Sequence, residues 1–162
     1  MYLISNQVMS EKLAKSWMFL GGVNVTFSPS TKPVSWDGSH THRVVLPVTF
    51  ENQEPAKAIA ISLIIDDTEA KRVASNMFGV NPEDVTEDDI KDACRECCNV
   101  LGGGLVMDAS SKIGIPYEIS SEEFEKMKQN STLNLTFSSD IPYSDLIVLS
   151  ILDINNKIWS MV

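Results

Sequence analysis

Apolar residues recur at helical spacing in four stretches of this chain, and alternate or run together at strand length in six others. Over residues 7–20, Met9, Leu13, Trp17 and Leu20 share one face, and Gly21-Gly22 predicts where that helix stops. Residues 23–27 read as a strand, followed by a Pro/Ser-rich connection over 28–40. Residues 43–50 form a second strand whose Pro47 predicts an edge or bulged position. The solid apolar run 58–65 predicts a strand buried on both faces. Asp66-Asp67-Thr68 caps a helix through about Met77, closed by Gly79. Thr86-x-x-Asp89, a loose capping box, opens a longer helix that ends near Gly102-Gly103-Gly104. A short strand at 115–119, a short helix from Ser120 with acids at its positive end, and strands at 132–137 and 146–152 complete the chain. No βαβ unit repeats, so the predicted class is α+β: a mixed sheet with a long helix packed on it.

A chain of 162 residues with 43% hydrophobic and 22% charged residues is long enough and apolar enough for one domain, expected to span 1–162. Charge then narrows the partners. With 22 acids against 13 bases, the net charge of -9 leaves no basic patch for nucleic acid or an anionic membrane, whereas a protein surface rich in Lys or Arg suits it. Met1-Tyr2-Leu3-Ile4-Ser5-Asn6 lacks the basic start of a signal peptide, and no apolar run reaches membrane-spanning length. All three cysteines fall between Cys94 and Cys98, too close together to cross-link distant segments, which points to the reducing cytoplasm.

Two clusters invite a metal reading. Cys94-x-x-Cys97-Cys98 lacks the second pair of ligands a structural zinc needs, and its helical phase turns it inward. His40 and His42 share a strand face, but no third ligand accompanies them. No metal site is expected.

The long helix carries the most specific pattern. Asp92, Glu96, Asn99 and Gly103 fall on one polar stripe, opposite a row of Cys94, Cys98, Leu101 and Leu105 and its neighbouring row Ala93, Cys97 and Val100. A carboxylate and a carboxamide three residues apart, followed by a glycine with no side chain to hold off an approaching surface, suit work on another molecule. A solvated helix face fraying into glycines would share that pattern. Leu20-Gly21-Gly22 echoes Leu101-Gly102-Gly103, and in that alignment Lys15 stands opposite Glu96 and Met18 opposite Asn99, so only the second helix carries the polar pair.

These residues, with the helix ending Met77-Phe78-Gly79 and the acidic spacer 82–89, resemble the CheX branch of the CheC/CheX/FliY phosphatases, which remove the phosphoryl group from the chemotaxis response regulator CheY. The family pattern is an acid or serine, three spacers, Glu, two spacers, Asn and a downstream proline. Asp92, Glu96 and Asn99 match it residue for residue, and a single motif per chain is similar to CheX rather than CheC. Pro116 follows Asn99 after only sixteen residues, several fewer than the family shows.

The resemblance implies a fold, a partner and a mechanism. Glu96 and Asn99 would enter the active site of a phosphorylated receiver domain, with Asp92 and Gly103 at the contact. Magnesium would come with the receiver, and no cofactor from this chain. Asn99 would orient the hydrolytic water, since its amide both donates and accepts, while Glu96 would pair with the receiver's lysine. A non-catalytic module that docks a receiver or dimerises through the same helix would also need Glu96 but not Asn99. The resemblance further implies a homodimer, and strands 132–137 and 146–152, free of internal charge, are the expected sheet edge for it.

Overall fold

The computed structural model describes residues 5–29, 41–50, 57–105, 111–131, 134–139 and 147–154. Helix α1 (Asn6–Gly21) leads into a short strand, β1 (Phe27–Pro29), and the hairpin β2 (Thr41–Phe50) and β3 (Lys57–Asp66) follows. Helix α2 (Asp67–Phe78), one 3-10 turn (Pro82–Asp84) and helix α3 (Glu87–Gly103) come next. Strands β4 (Ser111–Ile113) and β5 (Tyr117–Glu118), helix α4 (Ser121–Gln129), and strands β6 (Asn134–Ser139) and β7 (Ile147–Ile154) close the chain. All the strands join one antiparallel sheet in the order β1-β6-β7-β3-β2-β4, with β5 also on β2. The expected α+β class with a long helix on the sheet is what the chain adopts, although every described strand pair is antiparallel and the sheet is not mixed.

Period-two alternation in the central hairpin divides the core. Val44, Leu46, Val48 and Phe50 of β2 and Ile59, Ile61, Leu63 and Ile65 of β3 point to the face covered by α1, α2 and α3. Val45, Ala58, Ala60 and Ile64 point to the other face, where Phe124 and Met127 of α4 pack with Ile119. β3 is therefore buried on both sides, as its unbroken apolar run requires.

Helix ends follow the local chemistry. Gly22 and Gly79 take left-handed conformations beyond α1 and α2, and Asp66 caps α2 by accepting from the Glu69 N–H at 2.7 Å. Helix α2 in turn holds the end of α1. Arg72 Nη1 donates to the Gly21 carbonyl at 2.7 Å and Asn76 Nδ2 to the Leu20 carbonyl at 2.8 Å, while Glu69 fixes the Arg72 guanidinium through a bidentate pair. The loose capping box of α3 is complete: Thr86 Oγ1 accepts from the Asp89 N–H at 3.1 Å, and the Asp89 carboxylate accepts from the Thr86 N–H at 3.0 Å.

Four expectations need correction. Pro47 does not mark an edge strand, because β2 lies between β3 and the pair β4 and β5. The bulge half of the expectation holds: Val48 pairs with Ile113 and Val45 with Tyr117, so Leu46 and Pro47 stand opposite three residues, Gly114, Ile115 and Pro116. The Pro47 carbonyl accepts from the Gly114 N–H at 2.8 Å, so its polar groups face the break between β4 and β5, and the missing N–H is not needed on the β3 side. The strand expected at 23–27 is confined to Phe27–Pro29, and the one at 115–119 to Tyr117–Glu118, with β4 unanticipated. Finally, β7 sits between β3 and β6, and β6 between β7 and β1, so neither closing strand is the expected edge. The sheet-edge reason for a dimer through them does not hold. Most of the Pro/Ser-rich connection, with His40, lies outside the described residues, and no described helix is long and apolar enough to cross a membrane.

Candidate functional site

α3 lies on the sheet by a row of small side chains. Ala93, Cys94, Cys97, Cys98, Leu101 and Gly102 are buried. Cys98 Sγ sits 3.6 Å from the carbonyl oxygens of Val44 and Ile61, and Cys97 Sγ 4.0 Å from Met77 Sδ on α2. Bulkier residues here would lift the helix off the sheet. Burial pushes the Cys94 and Cys98 thiols up to about 12 and moves Cys97 the same way, so all three stay protonated at neutral pH. Free, buried and protonated thiols are core side chains rather than nucleophiles or ligands.

His42 also has a structural task. Its Nε2 lies 2.8 Å from Asp67 Oδ1, and Lys71 Nζ reaches Asp67 Oδ2 at 3.1 Å, which ties β2 to the first turn of α2. Burial raises the Asp67 carboxyl, but the hydrogen bonds from His42 and Lys71 outweigh it and hold the group below its ordinary value.

Opposite the buried row, α3 presents the stripe read from the sequence. Asp92, Glu96 and Asn99 are exposed and Gly103 is half-exposed. At a rise of about 1.5 Å per residue, Glu96 and Asn99 project about 4.5 Å apart along the axis from one rigid helix. Arg95 Nη1 lies 3.4 Å from Asp92 Oδ1, an exposed pair that lightly tethers the first acid of the stripe. No described residue salt-bridges Glu96, and Asn99 stands within the last turn of the helix with its amide open to solvent.

The glycines at the end of α3 differ. A Cβ on Gly102 would come within 2.6 Å of Leu46 Cδ2 and 3.3 Å of Ile61 Cγ2, so close contact with the sheet demands glycine there. A Cβ on Gly103 would meet only Ile113 Cδ1, at 3.9 Å. Among the described residues, no neighbour stands close enough to require glycine at 103. Ile113 itself, on the border of the stripe, escaped the sequence reading because β4 is too short to show a period. On α1 the echo holds for exposure, with Lys15 and Met18 outward and Gly21 buried, and the polar pair is absent there. Among the described residues no group of three or more His, Cys, Asp or Glu side chains could hold a metal.

Comparison with known proteins bears on the family and the fold. The family model of the chemotaxis phosphatase CheX matches residues 55–138, just over half of the chain, including α2 and all of α3. No curated protein matches the sequence significantly. Among solved structures, CheX in the CheX-CheY-BeF3-Mg2+ complex from Borrelia burgdorferi has a similar fold at a TM-score of 0.60, with 19% identity over 94% of this chain and 99% of that one. CheX from Vibrio vulnificus gives a TM-score of 0.58, with 14% identity over 90% of this chain and 96% of the other. Thermotoga maritima FliY is also similar, at a TM-score of 0.54 and 14% identity, covering 96% and 92% respectively. Fold and family model thus coincide, and the chain belongs to the CheX family of chemotaxis phosphatases.

Proposed function

We propose that this protein hydrolyses the aspartyl phosphate of a CheY-like receiver domain by presenting Glu96 and Asn99 from the exposed face of α3. The observation that carries this reading is the pair itself: an unpaired carboxylate and an open carboxamide on a helix locked to the sheet by its opposite face. The partner in the Borrelia complex, CheY with BeF3 and Mg2+, supports a receiver as the substrate.

The receiver brings the phosphoryl group, the magnesium and a lysine. Asn99 accepts a hydrogen bond from a water and donates to it or to a phosphoryl oxygen, which aligns the water with phosphorus. The water oxygen bonds to phosphorus as the bond from phosphorus to the aspartyl oxygen breaks, releasing inorganic phosphate and a free carboxylate. A neutral amide suits this position, since a second carboxylate would repel the phosphoryl oxygens. Glu96 pairs with the receiver lysine and fixes the depth of insertion. Asp92 and Gly103 flank the pair at the contact.

The protein acts in the cytoplasm, where its three free thiols stay reduced, and as a homodimer whose contact leaves Asn99 open. That contact does not pair the backbone edges of β6 or β7, which are already paired within the chain, and light scattering reads its mass. The test of function is the decay of a phosphorylated receiver with and without the protein. Acceleration at catalytic concentrations is expected. Binding without acceleration would instead make the chain a docking module.

A further inference from the structure

Beside the polar stripe lies a feature that the motif does not include. β4 runs along the outer half of β2, with Ile113 opposite Val48, and brings Ile113 Cδ1 to 3.9 Å from where a Cβ on Gly103 would stand. Ile113 is 42% exposed, and Ile115, two residues on, is 84% exposed. Two residues of extended chain span at most about 7 Å, so both isoleucines lie close to the Gly103 end of the stripe.

Their position is fixed. Between them, Gly114 donates its N–H to the Pro47 carbonyl at 2.8 Å, and a Cβ there would fall 2.6 Å from Pro47 Cγ and 3.2 Å from Pro47 O. Only glycine fits so near the β2 backbone. Gly114 thus clamps the segment to the central hairpin and leaves Ile115 turned out to solvent.

We propose that Ile113 and Ile115 form an apolar ledge that receives a nonpolar side chain of the receiver domain, next to the pocket entered by Glu96 and Asn99. The inference rests on the receiver reading of the stripe. Continuity with the stripe names the occupant: a surface arriving over Gly103 passes across Ile113, and no other described segment of this chain covers Ile115. The chemistry divides in the same way, with charge and amide groups placed over the phosphoryl site and apolar area beside it, where burial adds affinity without repelling phosphate.

Two measurements on the full chain separate this from the phosphatase reading: titration with a receiver domain loaded with beryllium fluoride and magnesium, and turnover of the phosphorylated receiver. Ile115→Ser, at a solvent-exposed position, should melt like the wild type, bind the loaded receiver about tenfold more weakly, and place its kinetic loss on KM rather than kcat. Ile115→Leu, which keeps the apolar area, should restore affinity. Ile113→Ser should act in the same direction. Wild-type affinity in an Ile113→Ser/Ile115→Ser double variant would overturn the ledge and leave the role of Asn99 standing. If Asn99→Ala keeps full turnover while the serine variants bind weakly, the mechanism fails and the ledge survives. If the wild-type chain does not bind the loaded receiver, both fall.

Discussion

Gly102 and Leu46 meet so closely that a single added methyl on the glycine would stand 2.6 Å from Leu46 Cδ2. Leu46 is fully buried in the central hairpin, and Ile61 Cγ2 and Cδ1 stand only 3.3 and 3.4 Å from the same point. Gly102→Ala should therefore destabilise the protein by about 1–3 kcal/mol, as overpacking of a filled core does. Thermal unfolding measures it, with an expected fall in Tm of several degrees.

Gly103→Ala should do the opposite to the fold and still impair the protein. Its Cβ meets only Ile113, and relieving the helix of a glycine adds up to about 0.5–1 kcal/mol. The same methyl sits on the docking stripe, so receiver dephosphorylation should slow in a protein that melts no lower. Full activity in that variant would remove Gly103 from the contact.

Asn99→Ala should lose roughly 10²-fold or more in rate, because water alignment acts in the transition state. Affinity for a receiver carrying a phosphoryl mimic should change little. Single-turnover decay and a binding titration, run side by side, separate the two effects.

Glu96→Lys should fail earlier, at association. Replacing the partner of a receiver lysine with a like charge should weaken the complex by about 2–5 kcal/mol if the pair is desolvated. The titration used for Asn99 reads this directly, and an unchanged Kd would take Glu96 out of the interface.

Alkaline pH should loosen the core. The thiols of Cys94 and Cys98 titrate near 12 when folded, against an ordinary value of 9.0. Above about pH 9 the unfolded chain releases these protons while the folded one keeps them. Stability is thus intact below 9 and drains as pH climbs towards 12, by at most about 1.4 kcal/mol per pH unit for each thiol. Urea melts at pH 8 and pH 10 test this. Cys98→Ala should flatten the slope between them, and an equal slope in that variant would contradict the assignment.

How much of this could be read from the residues depends on the range of the interactions. The faces of α3, its capping box and the inward turn of the three cysteines follow from contacts three or four positions apart, and each appeared where the helical period placed it. Strand order is another matter. Nothing within 132–137 or 146–152 says that β1 and β3 will flank them, because that pairing is decided by distant segments. Pro47 misled as a sign of an edge for a related reason. A proline forbids one hydrogen bond, and whether that bond is wanted depends on which side of the strand the neighbour lies. The exposed stripe was legible, but its border at Ile113 was not, since three residues of β4 carry no pattern.

The placement of Asn99 in the last turn of α3 has a consequence for what the protein can act on. That end of the helix carries the negative pole of its dipole even with the Val100 and Gly102 carbonyls covered by the Gly104 N–H, and it repels anions instead of gathering them. Alone, this surface is a poor place for a phosphate. A phosphoryl group becomes tolerable there only when it arrives already neutralised by cations of its own carrier. Acetyl phosphate, free phosphoamino acids and other small phosphate esters should therefore go untouched, and selectivity against them comes from the direction in which one helix points.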